Sequence, residues 1–210
     1  MAERSFRTTL FIFELLKCIQ YLNIFYYFHD VADAYQIKNK KGLYFLTLQV
    51  VGWADIFTRK SYRDIIIDSF VYCRKSKGLK VYSYVIMSNH VHCIVSAENN
   101  LSDVVRDFKK FTSKEILKLV NENTQESRKE WLLMIFKYHA KFNKRVEKFQ
   151  FWTHENHAVE LTSNEMIESR INYIHQNPVK AGYVEQEHEF IYSSAKNFAG
   201  LINLMEIDEL

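Results

Sequence analysis

Hydrophobic residues along the chain follow two alternating periods, one typical of strands and one typical of helices. Runs rich in β-branched and aromatic residues predict strands, which cover Tyr44–Trp53, Val81–Met87, His90–Ala97 after a turn at Ser88–Asn89, and part of Phe149–Leu161. Apolar residues at helical spacing predict helices over Asp64–Lys77, which Gly78 ends, over Leu101–Val120, and over a segment that begins near Thr162. This order predicts an α+β fold, an antiparallel sheet with packed helices close to the ferredoxin-like arrangement.

The last predicted helix has a sequence signal at its start, and the only proline of the chain marks its expected end. Thr162 and Glu165 have the spacing of a capping box, which predicts the start. Pro178 pushes the residue before it out of helical geometry, so we expect the helix to end near Asn177. Three residues at helical spacing are expected to face the sheet: Ile167, Ile171 and Ile174. Tyr173 and Asn177 are four residues apart and should share one face beside that buried stripe.

The domain organisation follows from where the regular pattern begins. Residues 34–210 are predicted to form one domain, and residues 1–33 an N-terminal extension outside that fold. Residues 8–29 are apolar enough to raise the question of a membrane segment, but polar residues interrupt the run at Glu14, Lys17, Gln20 and Asn23. We therefore expect an extra helix or an appended segment, and no membrane partner. Residues 121–148 are a charged insertion around an apolar core, predicted to be helical.

Composition and charge narrow the classes of protein. With 48% hydrophobic residues, 15% aromatics, 5 Gly and 1 Pro, the chain is globular and not disordered. The net charge of +3 is uneven, because residues 101–150 carry 12 Lys/Arg against 7 Asp/Glu and residues 181–210 carry 1 against 6. A basic middle and an acidic tail fit a polyanionic partner that meets one face. The 3 cysteines show no paired spacing, so we expect a reducing cytoplasm and no disulfide or zinc framework.

Two histidines on one predicted strand are candidate metal ligands. Because strand side chains alternate, His90 and His92 should point to one face, with Cβ atoms roughly 6.5–7 Å apart, while Val91 and Cys93 point to the other. Imidazoles at that separation can converge on one divalent ion. The ordinary alternative is a pair of solvent-facing or hydrogen-bonded histidines. Asn177 would supply a third, oxygen ligand and leave positions open for a substrate phosphate.

Tyr173 is a candidate nucleophile, although most tyrosines at such a position are packing residues. A phenol with an ordinary pKa of about 10 needs help to attack, and a metal ion that polarises a phosphate supplies it. Attack on a phosphodiester gives a covalent phosphotyrosine that conserves the bond energy for rejoining. That chemistry is strand transfer and not simple hydrolysis.

Basic side chains suggest where a phosphate backbone would bind. A stripe on the second helix and two residues beside Tyr173 are the candidates: Arg106, Lys109, Lys110, Lys114, Arg170 and Lys180. A solvated helix face is the alternative explanation of the stripe. Trp152 could stack on an unpaired base, but we expect it in the core.

Several motifs, in order, resemble one family. The segment SNHVHCIV (Ser88–Val95) resembles the His-hydrophobic-His signature of HUH endonucleases. The segments YIHQNPVKAGYV (Tyr173–Val184) and YSSA (Tyr192–Ala195) are similar to the C-terminal motif of the REP-associated tyrosine transposases, in the single-tyrosine transposase superfamily. FKKFTSK (Phe108–Lys114) and FWTHENHAVEL (Phe151–Leu161) also look like that family. The resemblance runs from about Ala34 to the end, without a match for residues 1–33 or for 121–148.

The resemblance implies a ferredoxin-like HUH endonuclease core and a division of roles. Tyr173 would be the nucleophile, and His90 and His92 would bind a divalent metal ion, Mg²⁺ or Mn²⁺. Related insertion-sequence transposases carry a glutamine ligand four residues after the tyrosine, where this chain has Asn177. Gln176 is the alternative ligand, but it lies about 100° further round the helix. His175 is expected to be structural or to face DNA.

The implied function is that of a metal-dependent single-stranded DNA endonuclease and strand transferase. It would act on hairpin or palindromic DNA through a 5′-phosphotyrosine intermediate. Two alternatives remain open at this point: a domesticated hairpin-binding protein that does not cut, and a metal hydrolase in which Tyr173 is structural. Monomer and homodimer are both compatible with the sequence, and so are a site within one chain and a site shared by two.

Overall fold

The structure, a computed structural model, describes residues 36–143 and 148–210. Within these ranges the strands are β1 (Tyr44–Gln49), β2 (Leu79–Ile86), β3 (His90–Ala97) and β4 (Val159–Glu160). The α-helices there are α1 (Lys60–Lys77), α2 (Leu101–Glu122), α3 (Lys129–Ala140), α4 (Asn164–Lys180) and α5 (Ala195–Phe198). Short 3-10 turns cover Val51–Trp53, Ile56–Thr58 and Glu187–Glu189.

The four strands form one antiparallel sheet in the order β2-β3-β1-β4. This is the strand order of the ferredoxin-like fold, with β1 and β3 in the centre, so the predicted α+β class is confirmed. The register pairs Thr47 with His92 and Gln49 with His90 across the central strands. Both histidines therefore lie on the face of Thr47 and Gln49.

The two faces of the sheet carry different helices. Phe70 of α1 stacks on Phe108 of α2 at 4.7 Å between ring centroids and also contacts Tyr84, which pairs with Cys93. Helices α1 and α2 thus cover the Cys93 face. Helix α4 covers the other face, where Tyr173 contacts His92. The predicted division of β3 into a His face and a Val91/Cys93 face is what the packing shows.

Both edges of the sheet are covered by irregular chain. Along β1, Asn156 accepts a hydrogen bond from the Thr47 amide and Thr153 donates to Gln49, at 2.8 Å each. Strand β4 is short because His157 adopts a left-handed φ of 41° and interrupts this ladder. Along β2, the segment after Tyr192 pairs with Tyr84 and Ile86. These segments remove the unpaired edges that would otherwise be free to pair with another chain.

Both ends of α4 differ from the sequence prediction. Ser163, not Thr162, is the N-cap, and its hydroxyl accepts from the Met166 amide at 3.3 Å, so the Thr162/Glu165 capping box is wrong by one residue. Pro178 lies inside the helix, which continues to Lys180 instead of ending near Asn177.

Gly182 supplies the actual end of α4. Its φ is 72°, its amide donates to Val179 at 2.9 Å, and the Tyr183 amide donates to Pro178 at 2.9 Å. This pair of bonds is a Schellman motif, which satisfies the last carbonyl groups of the helix. Pro178 is tolerated because it is buried near the end, where its missing amide costs one bond to the preceding turn.

Helix α3 lies in the segment 121–148 that was predicted to be helical, and it packs into the main hydrophobic core. Phe136 is buried against Phe151, with ring centroids 5.3 Å apart. Before α3, the buried Glu126 carboxylate binds Arg59 at 2.6 Å and Arg128 at 3.2 Å. Burial alone would raise the pKa of Glu126, but these hydrogen bonds and charges hold it below its ordinary value. The predicted extension 1–33 lies outside the described residues, and none of the helices in 36–143 and 148–210 is long and apolar enough to cross a membrane.

Candidate active site

The two predicted metal ligands lie side by side on β3. The rings of His90 and His92 meet edge to face, with centroids 4.6 Å apart. His92 is buried and stacks on Phe45 of β1 at 5.3 Å, while His90 is partly exposed at the end of the strand. The pair therefore has one partly exposed member and one fixed in the sheet.

Each imidazole has its Nδ1 atom held by an oxygen. Asn89 Oδ1 lies 2.6 Å from His90 Nδ1, and because an amide oxygen only accepts, His90 carries its proton on Nδ1. The Thr47 hydroxyl lies 2.9 Å from Nδ1 of His92. Burial lowers the pKa of His90 to about 4. Burial, together with the charges of His90, Arg170 and His157, also lowers the pKa of His92. Both imidazoles are neutral at physiological pH, which is the metal-binding form.

Tyr173 of the same chain lies beside this pair. Its ring contacts His92 edge to face at 5.2 Å and Phe45 at 5.9 Å, and the side chain is 39% exposed. Arg170, one turn earlier on α4, places its guanidinium over the Phe45 ring at 5.0 Å. The structure thus brings a phenol, two imidazoles and a guanidinium together within a single chain.

The residues after Tyr173 have separate surroundings. Asn177 donates from Nδ2 to the Tyr173 carbonyl at 2.8 Å, which leaves its Oδ1 without a hydrogen-bond partner among the described residues. Gln176 is occupied by a hydrogen bond to Glu187. His175 is buried, with Nε2 2.9 Å from the Ser194 hydroxyl, and burial lowers its pKa to about 4. The amide oxygen of Asn177 is therefore unengaged among the described residues, whereas His175 is held inside the fold.

The donor set fits a divalent ion in kind. Asn89 fixes the His90 tautomer with Nε2 unprotonated. Nε2 of His92 is unprotonated when the Thr47 hydroxyl accepts from Nδ1, and this is the arrangement typical of metal-binding histidines. The amide oxygen of Asn177 suits a hard ion such as Mg²⁺ or Mn²⁺. In the described part of the chain, no third His, Cys, Asp or Glu joins the pair. The site would thus keep positions open for substrate oxygens.

The predicted DNA-binding residues lie on two helices. Arg170 and Lys180 are on α4, which carries Tyr173, and neither forms an ion pair with a described residue. The stripe is on α2, which covers the opposite face of the sheet. Lys110 and Lys114 are exposed there and also have no acidic partner among the described residues.

Two members of the stripe are engaged within the protein. Arg106 binds Asp103 at 2.6 Å and Asp107 at 3.1 Å. Lys109 turns away from solvent and donates to the carbonyls of Thr153 and His154 and to Asn156 Oδ1, the last at 2.7 Å. Burial lowers the pKa of Lys109 to about 8. A contact to phosphate would require either side chain to leave these partners.

Lys109 begins a chain of contacts that sequence reasoning missed. Lys109 holds Asn156, the Asn156 carbonyl accepts from the Thr47 amide at 2.8 Å, and the Thr47 hydroxyl meets His92. The only sequence signal is that Lys109 and Asn156 both lie in segments that resemble the transposase family. The register of β1 against β3 is needed to connect them to His92. Trp152, expected in the core, is buried and donates to Thr112 at 3.0 Å.

Replacing Lys109 with methionine should destabilise the fold around the candidate active site, although Lys109 is not one of the proposed catalytic or metal-binding residues. The aliphatic stem is kept but three acceptors lose their donor, so we expect the free energy of unfolding to fall by about 1–3 kcal/mol. The Thr47 amide should also exchange its hydrogen faster, because the segment at Asn156 loses its anchor. Hydrogen exchange with a urea titration measures both. Lys110→Met is the matched control, and equal effects of the two substitutions would contradict the anchoring role.

Comparisons with known proteins found a matching family model and similar solved structures. Residues 53–133 match the family model described as "Transposase IS200 like", a stretch that contains His90 and His92 but not Tyr173. The solved structure of a REP-associated tyrosine transposase bound to a REP hairpin is similar with a TM-score of 0.54 at 17% identity, over 83% of this chain and 90% of that chain. A Deinococcus radiodurans protein assigned to the transposases gives a TM-score of 0.38 at 15% identity, over 66% of this chain and 91% of that chain. No curated protein sequence matches the chain.

The fold is of the α+β class, and a central strand of its four-stranded antiparallel sheet carries the paired histidines. The match of residues 53–133 to the IS200-like transposase model agrees with the family that the sequence motifs resemble. The fold in particular is that of the REP-associated tyrosine transposase.

Proposed function

We propose that this protein is a metal-dependent single-stranded DNA endonuclease and strand transferase with Tyr173 as its nucleophile. The observation that carries the proposal is the contact of Tyr173 with His92 in the same chain, at 5.2 Å between ring centroids. A tyrosine with a packing role alone would not need to stand 39% exposed beside two neutral, oriented imidazoles. In this proposal the nucleophile and both histidines come from one chain.

The proposed step exchanges one ester bond for another. Tyr173 Oη forms a bond to the phosphorus of a backbone phosphate and loses its proton, while the bond from phosphorus to the 3′ oxygen breaks and that oxygen gains a proton. The product is a 5′-phosphotyrosine and a free 3′-hydroxyl. When bound by His90, His92 and Asn177, a Mg²⁺ or Mn²⁺ ion would polarise the phosphate. Attack by a 3′-hydroxyl reverses the step and joins a strand.

Basic residues on the helix that carries Tyr173 and on α2 are proposed to contact the phosphate backbone. Arg170 stands over Phe45 next to the reacting groups, so it is placed to stabilise the charge of the phosphate under attack. The other predicted contacts would hold the flanking DNA: Lys180, Lys110, Lys114, Arg106 and Lys109. Of these, we expect Lys110, Lys114 and Lys180 to contribute most to DNA binding, because Arg106 and Lys109 have partners within the chain.

Hairpin DNA is the proposed substrate class, since the similar solved structure is described as bound to a REP hairpin. The test is incubation with labelled hairpins that carry single-stranded flanks, in Mg²⁺ or Mn²⁺ and with chelator as the control. We expect a protein–DNA adduct that survives denaturant and is lost with chelator. Turnover without an adduct would identify a metal hydrolase, and binding without cleavage a hairpin-binding protein.

A further inference from the structure

The outer face of α3 carries large apolar side chains that the fold leaves exposed. Helix α3 already buries Leu132, Phe136 and Ala140, so its core face is occupied. On the opposite side lie Trp131, 43% exposed, Tyr138, 56% exposed, and Phe142, 73% exposed just beyond the helix. The rings of Tyr138 and Phe142 are 5.1 Å apart. These residues form one stripe about 16 Å long, which we call the α3 stripe.

The α3 stripe lies in a strongly basic part of the chain. Residues 128–148 contain seven Lys/Arg and two Asp/Glu. Lys137 and Lys141 are exposed one turn apart beside the stripe, and neither forms an ion pair with a described residue. Aromatic faces with interleaved lysines are the chemistry that binds unpaired bases and their phosphates. A two-fold dimer through this surface would instead bring like charges together.

The stripe is connected to the His90 end of the active site. The turn Val51–Trp53 packs on α3, where a methyl group on Gly52 would lie 2.9 Å from Ile135 Cγ2. Trp53 follows with a left-handed φ of 53° and is 58% exposed. Asn89 joins the two regions, because its Nδ2 donates to the Trp53 carbonyl at 3.4 Å and its Oδ1 accepts from His90 at 2.6 Å.

The backbone at Trp53 supports a role for its side chain. A left-handed conformation is uncommon and energetically unfavourable for a bulky residue. The fold accepts this cost at a position where the indole is mostly in solvent. Burial in the core therefore does not explain the conformation, whereas a ligand that stacks on the indole would.

We infer that unpaired nucleotides next to the cleaved phosphate run from the active site across Trp53 and along the α3 stripe. Bases would stack on Trp53, Trp131, Tyr138 and Phe142, and phosphates would meet Lys137 and Lys141. This inference rests on the proposed function, in which the substrate is single-stranded DNA beside a hairpin. It adds a binding surface formed by Trp53 and the α3 stripe, and it makes the single-stranded flank a determinant of affinity.

The test compares two DNA ligands on the full chain, with binding measured by fluorescence anisotropy. One is a hairpin alone, and the other is the same hairpin with an oligothymidine flank. We expect the flank to tighten binding, and Trp131→Ala to remove about tenfold of the affinity for the flanked hairpin while leaving the bare hairpin unchanged. A Lys137→Gln/Lys141→Gln variant should reduce the salt dependence of flank binding by about two phosphate contacts.

Tyr72→Ala is the control for Trp131→Ala, because Tyr72 is an exposed aromatic residue on α1, outside the α3 stripe. The inference is overturned if the flank adds no affinity, if Trp131→Ala weakens both ligands equally, or if sedimentation shows a dimer that Trp131→Ala dissociates. Binding is scored apart from cleavage. A flank effect without any covalent adduct would therefore reject the proposed nuclease and keep the surface.

Discussion

Tyr173→Phe should abolish the covalent protein–DNA adduct and leave hairpin binding within about threefold of the unsubstituted protein. The substitution removes one oxygen, the atom proposed to attack phosphorus. The ring is kept, and with it the contacts to His92 at 5.2 Å and to Phe45 at 5.9 Å. Loss of a nucleophile costs many orders of magnitude in rate, so we expect a decrease of at least about 10⁴-fold. Labelled DNA on a denaturing gel measures the adduct, and anisotropy measures binding.

Tyr183→Phe is the matched control for this experiment. Tyr183 lies in the same motif and is 50% exposed, but its ring stacks on Phe190 and not on the histidines. The adduct should form normally in that variant. An adduct that persisted in Tyr173→Phe would assign the nucleophile to another residue. Equal loss of DNA binding and adduct would show instead that Tyr173 organises the surface without attacking.

The sequence predicted the fold because most of its elements obey local rules. Periodicity placed every main strand and helix, and Gly78 ended α1 as expected. The structure differs from the prediction where other interactions outweigh a local sequence preference. Tyr44–Trp53 was predicted as one strand, but Gly52 and Trp53 both take left-handed conformations, so β1 ends at Gln49. At α4 the Schellman motif of Gly182 prevailed over the preference set by Pro178.

Some features of the candidate site follow from local sequence spacing, and others depend on contacts between residues that are distant in the chain. The shared face of His90 and His92 and the turn that separates Tyr173 from Asn177 follow from period alone. Sequence could not say that Tyr173 meets the histidines of its own chain, since this depends on how α4 crosses the sheet. Nor could it identify Thr47 as the partner of His92, because that requires the strand register.

His92→Ala should remove both metal binding and adduct formation. The substitution deletes one of the two imidazoles that we propose as ligands. Two proposed donors, His90 and Asn177, would remain for an ion that the site would otherwise hold with three. We expect the affinity for Mn²⁺ to fall by at least about 100-fold, and the adduct to fall below detection even at saturating DNA. Isothermal titration with Mn²⁺ measures the first effect and the denaturing gel the second.

Thr47→Val separates loss of the metal site from damage to the core. His92 is buried against Phe45, so His92→Ala also leaves a cavity, and a fall in stability alone could reduce activity. Valine matches threonine in shape and removes only the hydroxyl, 2.9 Å away, that fixes Nδ1 of His92. Loss of such a partner of a metal-binding histidine typically lowers metal affinity roughly 10- to 100-fold. Raising the Mn²⁺ concentration should therefore restore part of the adduct formation. A Thr47→Val protein with unchanged Mn²⁺ affinity would contradict the assignment of His92 as a ligand, because its ring would then need no orientation.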